Sequence, residues 1–236
     1  MPTTFLRAVF KFFFNPVCVS VAAACLFFGA GSLRGAPAKI TYRGFTIDES
    51  RLQTSPDLEA IHQAIQQQID IVLEVGLPKE IEAFLQEVPF VLIPAEDIPR
   101  GTPGLYERGS KTVKVTSRIV STGNKPVLLH ELLHAYHHQR VPQGFQNAEI
   151  IRFYDKAKIA GNFSEKSHMM QNPNEYFACA GTTYLFGETA QEPFSRDKLK
   201  TAAPDYFAFL VRLFGDQAGK FDGKLDGAAT KPKRRK

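Results

Sequence analysis

Four histidines fall within nine positions of the stretch LLHELLHAYHHQR, residues 128–140, in a chain of 236 residues that has six in all. His130, Glu131 and His134 spell HExxH. On a helix, residues four apart lie on one face about 6 Å apart along the axis, so two imidazoles can converge on one ion. Glu131 projects beside that face, placed to reach a water next to the ion rather than the ion itself. Leu128, Leu129, Leu132 and Tyr136 fall on the other side as a core-facing stripe. Neutral imidazoles with an adjacent carboxylate are the donor types of a hydrolytic zinc site, in which the ion activates a water and the carboxylate takes its proton.

A catalytic zinc uses three protein ligands and keeps a fourth position for water, so a third ligand is needed. The HExxHxxGxxH solution fails, because His137 and Arg140 stand where glycine and histidine are required. A carboxylate on a following helix is the other common solution, and Glu175 in NPNEYFA is the best candidate. Glu175 also lies three residues after Asn172 with Pro173 between them, which is the capping-box position, so spacing alone leaves cap and ligand both open. His137 and His138 read as neighbours of the site. His138 is four after His134, but that pair would leave no glutamate in the place of Glu131. His62, alone beside an apolar stripe, reads as a surface or core-edge histidine.

The two segments HELLHAYHH and NEYFACAG, some forty residues apart, resemble the gluzincin metallopeptidases of the anthrax lethal factor catalytic domain and Mlc titration factor A type. The likeness spans roughly residues 104–186. In that group the second motif is a glutamate, two aromatics and an alanine, matched by Glu175, Tyr176, Phe177 and Ala178. The resemblance implies a zincin-like fold and one Zn²⁺ per chain, held by His130, His134 and Glu175. It implies a peptide or protein substrate, with Glu131 as general base. Two departures stand out. Where the family often has a tyrosine that stabilises the transition state, this chain has His168, and where the lethal-factor pattern has an acidic residue it has Cys179. His168 could donate to the developing oxyanion in that role, with a pH dependence that tyrosine lacks; Tyr184 is a second candidate donor. Cys179 reads as a small buried thiol. These departures also support an alternative, a zincin-fold binding protein with weak or no turnover.

The elements that must position these residues follow from periodicity and turn chemistry. KITYRGFTI, residues 39–47, reads as an opening strand. Ser55 and Pro56 open a helix whose Leu58, Ile61, Ile65, Ile69 and Val72 recur at helical spacing until Gly76 and Pro78. EIEAFLQEV suggests a second short helix, and FVLI at 90–93 a buried strand. Prolines and glycines predict a loop over 98–110. KTVKVT, residues 111–116, alternates, and Lys114 suits a sheet edge; this strand is expected to border the cleft and offer its backbone to an extended peptide. A helix from Pro126 to before Pro142 carries the histidines. Three more are expected over 146–161, 172–187 and 203–215. The class is α+β: a small mixed sheet with an edge strand next to the active-site helix, followed by several helices.

Composition bounds the rest. Residues 1–38 carry Arg7 and Lys11, then VCVSVAAACLFFGAG, then APA, the order of an export signal; retained, the same run would anchor the chain in a membrane. Cleavage after Ala38 leaves 198 residues, read as one zincin-like domain over 39–215 and a disordered basic tail over 216–236. The expected location is therefore outside the cytoplasm: secreted, periplasmic or in the cell envelope. Cys179 is the one cysteine left after cleavage, so no internal disulfide is possible and the core must supply the stability. The formal charge of +5 belongs to the ends. Without the leader's three basic residues it is +2, and without the five of KPKRRK as well it is −3. No nucleic-acid-binding surface follows from such a balance.

Overall fold

The computed structural model describes residues 38–122, 125–216 and 221, all within one compact unit that begins at Gly35. Apart from Ala38, Asp216 and Phe221, the expected leader and tail lie outside the described residues. No described helix is long and apolar enough to cross a membrane.

The opening stretch forms two strands rather than one: β1 (Lys39–Tyr42) and β2 (Phe45–Asp48) pair antiparallel. Arg43 and Gly44 both take positive φ, 44° and 89°, the two-residue turn whose twist matches a tight hairpin. Alternation then buries Phe45 and Ile47 while Thr46 faces out.

Helix α1 (Leu58–Glu74) starts later than Ser55 and Pro56 suggest, with Asp57 in the cap position and no side-chain cap. Its apolar stripe is buried as expected, with Ile61, Ile65, Ile69 and Val72 at most 1% exposed. Helix α2 (Lys79–Glu87) leads into β3 (Phe90–Ile93), which runs parallel to β2.

The expected loop over 98–110 contains a strand, β4 (Gly104–Glu107). It returns antiparallel onto β5 (Thr112–Thr116), which also pairs parallel with β3, so the five-stranded mixed sheet has the order β1-β2-β3-β5-β4. The edge position expected for 111–116 therefore belongs to β4. Lys114 tolerates its interior strand because its Nζ reaches Glu107 Oε1 on β4 at 2.8 Å. The class itself is as expected: α+β, a small mixed sheet followed by helices.

Those helices are α3 (Val127–Gln139), α4 (Ala148–Ala160), α5 (Pro173–Phe186), α6 (Arg196–Ala202) and α7 (Pro204–Phe214). Gly161 closes α4 at φ 63°. Every residue of α5 from Tyr176 to Phe186 is buried, so it forms the centre of the helical layer. Helix α3 packs on α5, on α1 and on β4, and so spans the seam between sheet and helices. No side chain within its own segment caps it. Gln68, buried on α1, does so from a distance: its Nε2 donates to Lys125 O at 2.8 Å and its Oε1 accepts from Leu128 N at 3.0 Å.

Candidate metal centre

Helical spacing on α3 brings His130 and His134 together one turn apart, with their Nε2 atoms 3.1 Å from each other. Glu175 enters from the first turn of α5. Its neighbour Asn172 caps that helix by accepting from Asn174 N and Glu175 N, so the glutamate is not needed there. Glu175 turns Oε2 toward the histidines instead, 3.2 Å from His130 Nε2 and 3.3 Å from His134 Nε2. His168, on the short 3-10 turn His168–Met170, brings its own Nε2 to 2.9 Å from the same oxygen. The four side chains singled out from HExxH, NEYFA and the His168 departure thus meet in one place.

Direction decides what these contacts are. By distance they are ion pairs, yet Glu175 Oε2 is buried without a hydrogen-bond partner, because none of the three imidazoles lines up on it. Hydrogen bonds weaken steeply when bent. Imidazole nitrogens crowded around a buried carboxylate oxygen that they do not bond are the donor set of a metal site. The spacing agrees. Bonds of 2.0–2.1 Å in a tetrahedral zinc site set ligand atoms about 3.3–3.4 Å apart. The edges among His130, His134 and Glu175 are 3.1, 3.2 and 3.3 Å. Donor types and separations both fit Zn²⁺.

Burial alone would push the Glu175 carboxyl up, but the imidazoles around it hold it well below the usual carboxylate range. His168 is raised in turn, chiefly by Glu175 and against partial burial.

One oxygen of Glu131 is held from the sheet. Its Oε2 accepts from the backbone N–H of Tyr106 on β4 at 2.7 Å, and burial pushes its carboxyl up, opposed mainly by His130. Gly104 lets the strand come so close: a Cβ there would lie 3.1 Å from Glu131 Cγ and 3.0 Å from Val127 Cγ1. The side of α3 away from the leucine stripe is deep as well, since Glu131 and His134 are only 8% and 7% exposed. Both line the floor of a cavity of about 980 Å³ that Gly104, Leu105 and Tyr106 wall on one side.

The remaining candidates part company. Tyr184 gives its hydroxyl to Gly215 O at 2.6 Å and does not line the cavity, which removes it as an oxyanion donor. His137 is buried between Phe145 and Phe177 with neither ring nitrogen hydrogen-bonded; the nearby Gly144 backbone does not meet it in bonding geometry. Burial pushes its pKa down to about 3. His138 pairs through Nδ1 with Tyr106 Oη at 2.8 Å. His62 pairs with the buried Glu49. Cys179 is a buried thiol, as expected, but it also lines the cavity, and its Sγ lies within 4.8 Å of the ligand atoms of His130, His168 and Glu175. Its position four after Glu175 was the available signal for that proximity. Burial pushes the thiol up, away from thiolate.

No family model matches the sequence, and no curated protein does. Among solved structures the chain is similar to the PRO-PRO endopeptidase PPEP-2 from Paenibacillus alvei, at 20% identity and a TM-score of 0.43, over 66% of this chain and 92% of that one. A likeness of that degree decides nothing about the site.

Proposed function

We propose that the chain is an exported zinc-dependent metallopeptidase in which His130, His134 and Glu175 hold the ion and Glu131 is the general base. The observation that carries this reading is the buried, unbonded Glu175 Oε2 within 3.3 Å of both HExxH imidazoles. A zinc ion held there supplies a Lewis acid that polarises a carbonyl and lowers the pKa of a water to about 7.

Glu131 supplies the proton transfers. It sits one residue from a ligand on the cavity floor, and burial raises its carboxyl toward the range where a base can take a proton and return it. The Tyr106 N–H holds one carboxylate oxygen, which fixes where the other points. Passing the same proton to the leaving amine completes hydrolysis. His168, beside Glu175 and 39% exposed, is the side chain available to donate to the developing oxyanion.

The backbone of β4 supports a substrate held by its main chain. Thr116 N donates to Pro103 O, which makes 103 and 116 a hydrogen-bonded pair. Alternation along the ladder then turns the backbone groups of Gly104 and Tyr106 away from β5, toward the free side. With Tyr106 N–H taken by Glu131, the Gly104 N–H and the Gly104 and Tyr106 carbonyls are left to pair with an extended peptide.

The test is digestion of a broad peptide library by the zinc-loaded full chain. Cleavage products that Glu131→Gln, equally loaded, does not generate support the reading. Zinc-loaded wild type that cuts nothing overturns the peptidase assignment.

A further inference from the structure

The site holds more donors than a hydrolytic zinc needs. A catalytic centre uses three protein ligands and leaves a position open, whereas here a third imidazole stands against the same carboxylate. The His168 Nε2 to Glu175 Oε2 distance, 2.9 Å, is shorter than that from either HExxH histidine.

Two roles are available to a histidine so placed. As an outer partner it would donate a hydrogen bond to Glu175 and orient it. Glu175 Oε2 would then be satisfied, and it is not. His168 instead stands as His130 and His134 do toward Glu175, close to the oxygen without bonding it, and its nitrogen is within 4.8 Å of His130's ligand atom. The His130 and His168 rings lie 5.8 Å apart and tilted by 34°.

We infer that His168 is a fourth protein ligand of the ion, closing its coordination sphere in the substrate-free protein, so that it must be displaced before the reacting water and the substrate carbonyl can bind. This inference rests on the zinc reading above and adds a gate to it. The placement suits a ligand that can leave. His168 sits on a three-residue 3-10 turn and not within a long helix, and its side chain is 39% exposed against 17% for His130 and 9% for His134. His130 and His134 are fixed within the 13-residue helix α3, and Glu175 within the capped first turn of α5. Exchange would be redox-neutral: the bond to Nε2 would break with its electron pair returning to the imidazole, and oxygen lone pairs of water and substrate would replace it.

Zinc K-edge X-ray absorption counts coordinated imidazoles directly. The full-length zinc-loaded wild type should show three, falling to two in His168→Phe, whose zinc affinity by chelator competition should drop at least about tenfold. Saturating acetohydroxamate should lower the wild-type count to two by taking the fourth position. Two imidazoles in the wild type overturn the inference and leave the three-ligand reading standing, and because this needs no variant, a folding defect in His168→Phe cannot obscure it. A count that stays at three with the hydroxamate bound overturns displacement. A wild type that takes up no zinc sinks the parent reading, and this one with it.

Discussion

The backbone N–H of Tyr106 donates to Glu131 Oε2 at 2.7 Å, tying the edge strand of the sheet to the one carboxylate of HExxH. This bond joins the surface that would hold a peptide to the group that would take the proton. Glu131→Gln keeps a side chain of the same size that can still accept from Tyr106, but cannot act as a base. It should retain zinc and lose about 10²–10⁴-fold in kcat, read from peptide cleavage beside metal content. Cleavage at the wild-type rate would remove Glu131 from the chemistry.

Gly104 tests the same junction from the strand side. A methyl group there meets Val127 and Glu131 at 3.0–3.1 Å, so either β4 backs away or Glu131 shifts. Gly104→Ala should therefore lower kcat/KM by about ten- to a hundredfold, since small misplacements of reacting groups are costly. Its zinc content should match the wild type. An unchanged kcat/KM would show that the close approach is dispensable.

Gln68 tests how α3 is held. Its two buried hydrogen bonds, to Lys125 O and from Leu128 N, stand in for a local cap. Gln68→Ala leaves both backbone groups without that partner and should cost about 1–3 kcal/mol in denaturant unfolding. A loss under about 0.5 kcal/mol would mean that α3 does not depend on this tether.

His137 supplies a pH signature. Its folded-state pKa of about 3 lies below the ordinary value of 6.5, so above pH 6.5 the ring is neutral in both states and its full contribution is present. As pH falls from 6.5 toward 3 the unfolded chain binds a proton that the folded one refuses, and stability drops by about 1.4 kcal/mol per pH unit. His137→Phe, placed among Phe145 and Phe177, should lack that slope. The other five histidines are common to both proteins, so the difference between their denaturation midpoints from pH 7 to pH 4 isolates residue 137. Parallel curves would contradict a buried neutral imidazole.

What could be read from the sequence was whatever periodicity writes strongly. The stripe of α1, the caps at Asn172 and Gly161, and the HExxH helix are local patterns, and the structure reproduces them. Strand β4 was hidden because an edge strand of four residues pairs on one side only and begins at a glycine chosen for clearance, so TPGLYERG looks like a loop. Lys114 misled for a related reason. Its charge suggested an edge, yet Glu107 neutralises it inside the sheet. At the site, i to i+4 spacing brought His130 and His134 together on paper, but no local pattern shows that Glu175, freed from capping by Asn172, turns inward, or that the turn at 168–170 carries a third imidazole to the same oxygen. Those are long-range placements, set by how α5 packs on α3.

The central claim is a zinc site built from α3 and α5, and the most direct measurement is metal per chain by mass spectrometry on the full-length protein, wild type beside Glu175→Ala. The geometry predicts one zinc in the wild type and a marked loss in the variant. Zinc absent from the wild type after reconstitution, or bound equally by both proteins, would contradict it.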